Sequence, residues 1–411
     1  MIQPENNPKC ILFTHYGEDW IRGSERCLLD LLSHLDKDKF KPLLWCNQPS
    51  MANEATKLGI EVYCSEFPLL LGWNAPRFNI RAFVGLIKQA ITLIDKHQIA
   101  LIHANSAAPC QWLNFAARKR NIPLIAHLHS FYQRRDRLTL GLYQVPLLIG
   151  VSSFVLHDLQ TDNMPNARMQ VIANGIDTQK LLAQKRLDLR AALDIDVGDF
   201  VIATVGSLIL RKGVDLIIAA LTHLIDTKKR PVHLLIIGSG EQENNLKQQI
   251  EDSGLQQHIT LLGEQKDVHG ILRGSADLFV SAAREEAFGL ALAEASLAGL
   301  AVVAPAVGGI VDVVIDGQSG ILVPPENVNA LSAAIDKLYL NPSLSHAMGI
   351  AGRQHVLDNF TMEKNCQQFE HLYGQLLTSP AAHRPGIRNW SLRLSFASVW
   401  RRLTNKRVTY E

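Results

Sequence analysis

The sequence predicts an α/β protein built from two doubly wound parallel sheets, and three observations carry that reading. Its 411 residues exceed what one hydrophobic core usually supports, so two domains are the default. In each half, short apolar runs alternate with segments of helical period, the pattern of a parallel sheet covered on both faces. Between the halves an Asn174-Gly175 turn, a charged helical segment and a polar stretch separate the two series.

Composition narrows the function classes. Basic and acidic side chains nearly balance, 41 against 39, so nothing in the overall charge calls for nucleic acid. Cys10, Cys27, Cys46, Cys64, Cys110 and Cys366 lie apart, with no C-x-x-C pair. Several fall in apolar runs, which reads as reduced, buried thiols in a cytosolic protein, not a disulfide frame or a zinc site. The opening MIQPENNPK lacks the apolar core of a signal peptide, and secretion by that route is not expected. From Ala287 to Val311 the only charge is Glu294. Small residues, Pro305 and Gly308-Gly309 break that run into a buried helix and a buried strand, so no membrane span is expected.

The first series of apolar runs is Ile11 to Phe13, Leu43 to Cys46, Val62 to Cys64, Leu101 to Ala104, Leu124 to Leu128 and Leu147 to Val151. Helical patterns between them include Ser24 to Leu35, Ile80 to Ile94 and Trp112 to Arg118. Ligand sites in such sheets lie at the carboxyl ends of strands, which directs attention to the residues just past each run. After the first comes His15 to Arg26, where Ser24 suits a helix cap and Gly23 permits close backbone approach. The fifth ends in His127-Leu-His129, and alternation places both imidazoles on one side. A histidine there either satisfies a local hydrogen bond or meets a ligand; His103, on an earlier strand, is the weaker candidate. Tyr132 to Arg137 gathers cations nearby, as a phosphate-binding patch or as a solvated helix face. The charged segment Lys180 to Leu193 reads as a helix. Asp194-Ile-Asp196 lies in a polar connector and reads as a helix-terminal turn, not a metal-holding D-x-D.

The second series opens with Phe200 to Val205, followed by the turn Gly206 to Gly213 and a helix to about Leu224. Arg211 and Lys212 stand at that helix start, where positive charge opposes the macrodipole, which favours a functional reason. A cation at a strand's carboxyl end is well placed for a diphosphate. Leu234 to Ile237 leads into Gly238-Ser-Gly240, which lacks the third glycine of a dinucleotide fingerprint. Ile259 to Leu262 with Gly263, Leu278 to Val280 and Ala301 to Ala304 continue the series.

The stretch Ser281 to Gly299 organises the rest. A strand ending at Val280 hands over to a helical pattern at Phe288, Leu290, Leu292 and Ala295, and the handover carries Glu285 and Glu286. Acids just before a helix start either cap it in solvent or hold something bound there. Read as one helix, the eight residues from Glu286 to Glu294 rise about 12 Å and turn about 80° beyond two full turns. The two acids are therefore too far apart to share one metal; they are either placed to grip two ends of an elongated ligand or are solvated acids at the start and on the outer face of a helix. Gly289 between them admits an anionic group to the first-turn amides. Hydroxyls at both ends with phosphates in the middle describe a nucleotide sugar.

Glu286-Ala-Phe288-Gly289-Leu290-Ala-Leu-Ala-Glu294 resembles the E-x7-E element of the retaining glycosyltransferases of family four, whose GT-B fold places two Rossmann-like domains face to face across a cleft. The resemblance runs from Ile11 to about Leu377 and includes Asn174-Gly175-Ile176-Asp177, Gly308-Gly309-Ile-Val-Asp312, and Asp316-Gly317 with Gly320. It implies that Gly23 approaches donor phosphates and acceptor, that His129 faces the transferred sugar, and that Lys212 contacts the diphosphate. It further implies that Gly263 lies beside the nucleobase, that Glu294 holds the ribose hydroxyls, and that Glu286 meets hydroxyls of the sugar. The amides of Phe288, Gly289 and Leu290 are expected to stabilise the departing diphosphate. Two departures stand out: Arg22 occupies the place of the usual first glycine, and Ser207 that of a usual arginine, with Arg211 as its candidate replacement.

The resemblance also sets the domains. Residues 1–177 form an acceptor-side domain completed by a crossover helix at about 360–377, and 178–359 bind the nucleotide sugar. Residues 381–411 form a basic amphipathic tail, either an interfacial membrane helix on an anionic surface or a poorly ordered end. The expected activity is a metal-independent retaining hexosyl transfer from a nucleoside diphosphate sugar to a saccharide or lipid-linked hydroxyl acceptor, with no cofactor. The expected location is cytoplasmic, with peripheral attachment to the inner membrane face as the variant in which the tail binds lipid. A nucleotide-sugar 2-epimerase or a non-catalytic nucleotide-sugar binder are the alternatives.

Overall fold

The computed structural model describes residues 7–72 and 78–378. The chain divides into two units, Met1–Ala173 with Asn365–Glu411, and Asn174–Lys364. The first holds a seven-stranded sheet of β1 (Lys9–His15), β2 (Phe40–Cys46), β3 (Glu61–Cys64), β4 (Leu101–Ala104), β5 (Leu124–Leu128), β6 (Leu147–Gly150) and β7 (Met169–Val171), in the order β3-β2-β1-β4-β5-β6-β7. The second holds six strands, β8 (Phe200–Val205), β9 (Val232–Ile237), β10 (Ile259–Gly263), β11 (Leu278–Val280), β12 (Ala301–Pro305) and β13 (Gly320–Val323), in the order β10-β9-β8-β11-β12-β13. All pairings of these strands are parallel. Both are doubly wound, Rossmann-like sheets, the fold expected from the alternation. Strand order reverses between β1 and β4 in one unit and between β8 and β11 in the other, the crevices where open α/β sheets bind ligands.

Continuous apolar runs make these strands because both faces are covered. Ile11, Leu12, Phe13, Leu43 and Leu44 are wholly buried, as expected for a parallel sheet between helix layers. In the second unit Ile202, Leu234, Ile236, Val280 and Val303 share one core with Ile217, Ile218, Leu221 and Leu224 of the helix Val214–Asp226. Leu290–Leu297 as a helix and β12 as a strand divide the long run whose only charge is Glu294. Among the described residues no helix is long and apolar enough to cross a membrane.

The C-terminal helix Met362–Thr378 gives its residues from Asn365 onward to the first unit. There Asn365 Nδ2 donates to the Ala173 carbonyl at 2.6 Å, Asp36 N–H donates to Glu370 Oε1 at 2.8 Å, and Phe369 and Tyr373 pack against His103. The basic tail expected at 381–411 lies outside the described residues.

Several local expectations are corrected. The charged segment is a helix only over Thr178–Ala183, capped by Asp177, whose side chain accepts from Lys180 N–H at 2.9 Å. Beyond it the chain runs extended against the helix Val268–Ser275, with Leu187 N–H donating to Gly270 O at 2.9 Å. A methyl on Gly270 or Gly274 would fall 2.3 Å and 2.0 Å from the carbonyls of Lys185 and Leu187, so two glycines admit this strip where helical period alone suggested a helix. Asp194, by contrast, ends a 3-10 turn, Ala191–Leu193, in the left-handed region at φ 52°, the terminal turn expected of it. Of the six free cysteines, Cys64 is exposed at the end of the edge strand β3, while the other five are buried.

Candidate functional site

In the second unit the site grows from two loops at the switch point. β8 runs into Gly206 (φ 155°), a 3-10 turn Leu210–Lys212 and Gly213 (φ 67°) before the helix Val214–Asp226. β11 runs through Ser281 to Gly289 (φ 105°) before the helix Leu290–Leu297. The loops are tied together: Arg284 N–H donates to Arg211 O at 2.8 Å, and the Arg284 guanidinium holds Asp215 at 2.6 Å and Leu210 O at 2.7 Å. Backbone meets backbone at glycines, since a Cβ on Gly213 would sit 1.9 Å from Ala282 O and one on Gly238 1.9 Å from Gly206 O.

This framework brings Lys212 Nζ to 2.5 Å from Glu286 Oε2 across 74 residues of sequence. Both line one small cavity with Gly206, Ser207 and Ser281. Exposed Arg211 donates from Nη1 to Glu285 O at 3.0 Å. Burial pushes the Glu285 carboxyl up, with Arg211 opposing and the Glu286 charge adding to the rise. Glu286 itself is fixed from behind: Gly309 N–H donates to its carbonyl at 2.8 Å, and a Cβ on Gly308 (φ 55°) would fall 1.9 Å from that same oxygen.

The helix expected from Phe288 begins two residues later, and Glu286 lies in the turn before it. The left-handed Gly289 redirects the chain there. Only Leu290 to Glu294 of the interval is helical, about 6 Å of rise at 1.5 Å per residue, so the 12 Å helical separation does not apply. Phe288 is buried, edge-on to Phe360 at 5.4 Å, so its ring belongs to the core. The helix start leaves the amides of Gly289, Leu290 and Ala291 without intrahelical carbonyls. Glu294 stands half-buried one turn in. Gly263, at φ 65°, closes β10 and gives its carbonyl to Gly238 N–H at 2.8 Å.

The first unit assembles a separate polar cluster at the β1/β4 switch. His15 Nε2 lies 2.8 Å from Glu25 Oε1, and both side chains are buried. Asn105, just past β4, donates from Nδ2 to Ser24 O at 3.3 Å and faces His15 Nδ1 at 3.1 Å. Its Oδ1 therefore receives a hydrogen bond from His129 Nε2, at 3.0 Å, which leaves the His129 Nδ1 lone pair for another donor. The His127 ring lies 4.2 Å from that of His129, tilted by 46°, and the His103 ring 5.3 Å from that of His127, tilted by 53°. Burial first, then the neighbouring imidazoles, hold His127 and His129 well below the usual histidine range and His103 down to about 3. Those three rings are neutral at physiological pH.

Two further readings change here. Ser24 is not the cap: the helix Gly23–His34 starts at Gly23, with Arg22 at its cap position and Arg22 N–H donating to Glu25 Oε2 at 3.1 Å. Arg22 in turn lies 3.9 Å over the Trp20 ring. Arg137 is neither a solvated cation nor available to phosphate, because it is buried in ion pairs with Asp158 at 2.7 Å and Asp162 at 2.6 Å. Sequence reasoning missed Glu25, His15 and Asn105 as a unit, as well as the backing role of Gly308-Gly309. For His15 and Asn105 the signal was position, polar residues at or just past the carboxyl ends of the switch strands β1 and β4.

Burial opposes ionisation of Glu25, but the His15 hydrogen bond and charge, with backbone N–H donors, hold it at about 2 against an ordinary 4.5. A depressed carboxyl pKa stabilises the fold above the unfolded value and loses that contribution as pH falls through the folded one. Glu25→Gln is therefore expected to lose about 3 kcal/mol at pH 7. In urea unfolding, its gap to the wild type should narrow from pH 5 towards pH 2; a gap constant with pH would refute the assignment.

Among the described residues no group of three or more His, Cys, Asp or Glu is placed to hold a metal ion. A model described as "Glycosyltransferase Family 4" matches residues 21–180, and one described as "Glycosyl transferases group 1" matches 185–355. A GDP-mannose-dependent α-(1-6)-phosphatidylinositol monomannoside mannosyltransferase of Mycolicibacterium smegmatis is 28% identical over 290 residues, 65% of this chain and 74% of that protein. An N-acetyl-α-D-glucosaminyl L-malate synthase of Bacillus anthracis is 22% identical over 305 residues, 72% of this chain and 79% of its own. Among solved structures, a glycosyltransferase from Rickettsia africae superposes with a TM-score of 0.78 at 22% identity, covering 91% of this chain and all of that one. Anabaena HepE, solved with UDP and glucose, gives 0.76 at 22% identity, covering 90% of this chain and all of its own. With two matched models along one chain and curated glycosyltransferases as relatives, this protein belongs to glycosyltransferase family 4 and is a hexosyltransferase of GT-B fold.

Proposed function

We propose that the chain is a retaining transferase that moves a sugar from a nucleoside diphosphate sugar to a hydroxyl of a saccharide or lipid-linked acceptor, in polysaccharide, lipopolysaccharide or glycolipid synthesis. One observation carries this reading: at the β8/β11 switch a lysine, a carboxylate and a helix start with open amides surround a single cavity. Lys212 and the amides of Gly289 and Leu290 meet the diphosphate, Glu286 the sugar hydroxyls and Glu294 the ribose. As the sugar C1–oxygen bond breaks, negative charge grows on the leaving phosphate, and fixed donors aimed at such charge supply a large share of catalysis. The acceptor oxygen bonds to C1 from the same face and its proton passes to that phosphate, giving glycoside and nucleoside diphosphate. This charge stabilisation draws on protein donors, and we assign it no metal or cofactor. Membrane attachment, through a basic tail on anionic lipid at the cytoplasmic face, belongs to the same proposal.

The test is a thermal-shift panel of UDP-, GDP- and ADP-sugars. A ligand at 100 times its Kd stabilises by about 2.7 kcal/mol, so the right donor raises the melting temperature by several degrees. Glu294→Ala should abolish most of that rise. An undiminished rise removes Glu294 from the donor site.

A further inference from the structure

Lys212 and Glu286 are assigned to different parts of the donor, yet they hold each other. Their side chains lie 2.5 Å apart, and only 24% and 13% of their respective surfaces are exposed. Neither can turn away cheaply. The Glu286 backbone is clamped by Gly308 and Gly309, and Lys212 sits in a 3-10 turn closed by left-handed Gly213. A diphosphate drawn to Lys212 must take it from Glu286, and a mostly buried carboxylate then loses its counter-charge, which is costly. A nucleoside diphosphate offers nothing in return to that carboxylate. An intact donor does, because its sugar hydroxyls donate hydrogen bonds to Glu286 as Lys212 leaves.

We infer that the Lys212–Glu286 ion pair is a discriminating latch: it sets the site against spent nucleoside diphosphate and in favour of nucleotide still carrying its sugar. This rests on the donor-site reading proposed above and adds a specificity role that contact with the sugar alone does not contain. After transfer the sugar no longer satisfies Glu286, the pair re-forms, and the diphosphate is displaced. Product release is thus coupled to loss of the sugar by two side chains that are already in place. Glu285 supplies the control. It is the adjacent carboxylate, and its removal takes away one acid beside the same cavity, but it makes no pair with Lys212; Arg211 hydrogen-bonds its carbonyl and acts on its carboxylate only through space.

The experiment is titration calorimetry of the full chain with UDP, GDP and ADP, and with the matching nucleotide sugars. Wild type is compared with Glu286→Gln, Glu286→Ala and Glu285→Gln. Freeing Lys212 should tighten nucleoside diphosphate binding about fivefold to twentyfold in both Glu286 variants. The intact donor should lose its advantage over the diphosphate in the same variants. Glu285→Gln should stay within about twofold of wild type, less than the effect of a lost charge pair. The Ala variant keeps the backbone bond to Gly309, so it answers the question if the Gln variant folds poorly. Unchanged or weaker diphosphate binding in a folded Glu286 variant overturns the latch. Equal tightening in Glu285→Gln also overturns it, as a general field effect. Either result leaves the donor reading standing, whereas failure of every diphosphate and nucleotide sugar to bind wild type and variants alike removes both.

Discussion

Lys212→Ala is expected to lower kcat/KM for the donor by about 10²- to 10³-fold, the range seen when one fixed donor to developing charge is removed. Two effects add. The cation at the carboxyl end of β8 is lost, and the Glu286 carboxylate it neutralised stays behind, mostly buried and facing the same cavity. The variant site thus presents an uncompensated carboxylate to the donor diphosphate, where the wild type presents a cation that the carboxylate can release. Lys212→Arg should recover only part of the activity, because a planar fork does not reproduce a compact ammonium at the end of a flexible stem. Steady-state rates with the donor found by the thermal panel check this. A loss below about tenfold would mean that the helix amides alone carry the charge.

Gly308→Ala is expected to destabilise the second unit by about 3 kcal/mol, the upper part of the range for a residue strained in the left-handed region. The added methyl would lie 1.9 Å from the Glu286 carbonyl, and backbone, not a flexible side chain, is what it meets. Any relief comes from moving Glu286, so activity should fall even in the folded fraction. Gly317→Ala is the matched control, with a φ of 73° and nothing within 4 Å of the new atom. It carries only the conformational penalty, about 1 kcal/mol. Urea unfolding of both variants, with donor turnover measured below the transition, separates the clash from the dihedral cost. Equal behaviour of the two would show that the Gly308 contact does not hold Glu286.

The strands were legible because two buried faces demand near-continuous apolar runs, and runs such as Ile11 to Phe13 or Phe200 to Val205 recur as β1 and β8. Parallel pairing follows from the alternation with helices, whereas the strand orders that create the two switch points are set by which strands lie side by side. What stayed hidden depends on contacts between distant segments. Lys212 and Glu286 each stood out in the sequence as candidates, but their pairing across 74 positions did not. Helical period placed a helix over Lys180 to Leu193, and two glycines on the helix Val268–Ser275 favoured an extended strip instead. The same limit applied at Glu286, where the E-x7-E spacing looked helical throughout and one left-handed glycine cut it short. Asn105 carries no motif at all. Its function as the part that orients His129 exists only once β4 and β5 lie side by side.

The glycine contacts around the second site have a bearing on redesign. Gly213 against Ala282, Gly238 against Gly206 and Gly308 against Glu286 join the loops main chain to main chain, so their shape does not depend on which side chains decorate them. A library meant to retune sugar choice can randomise Ser207, Ser281 and their neighbours while leaving those glycines untouched, and the scaffold should tolerate it.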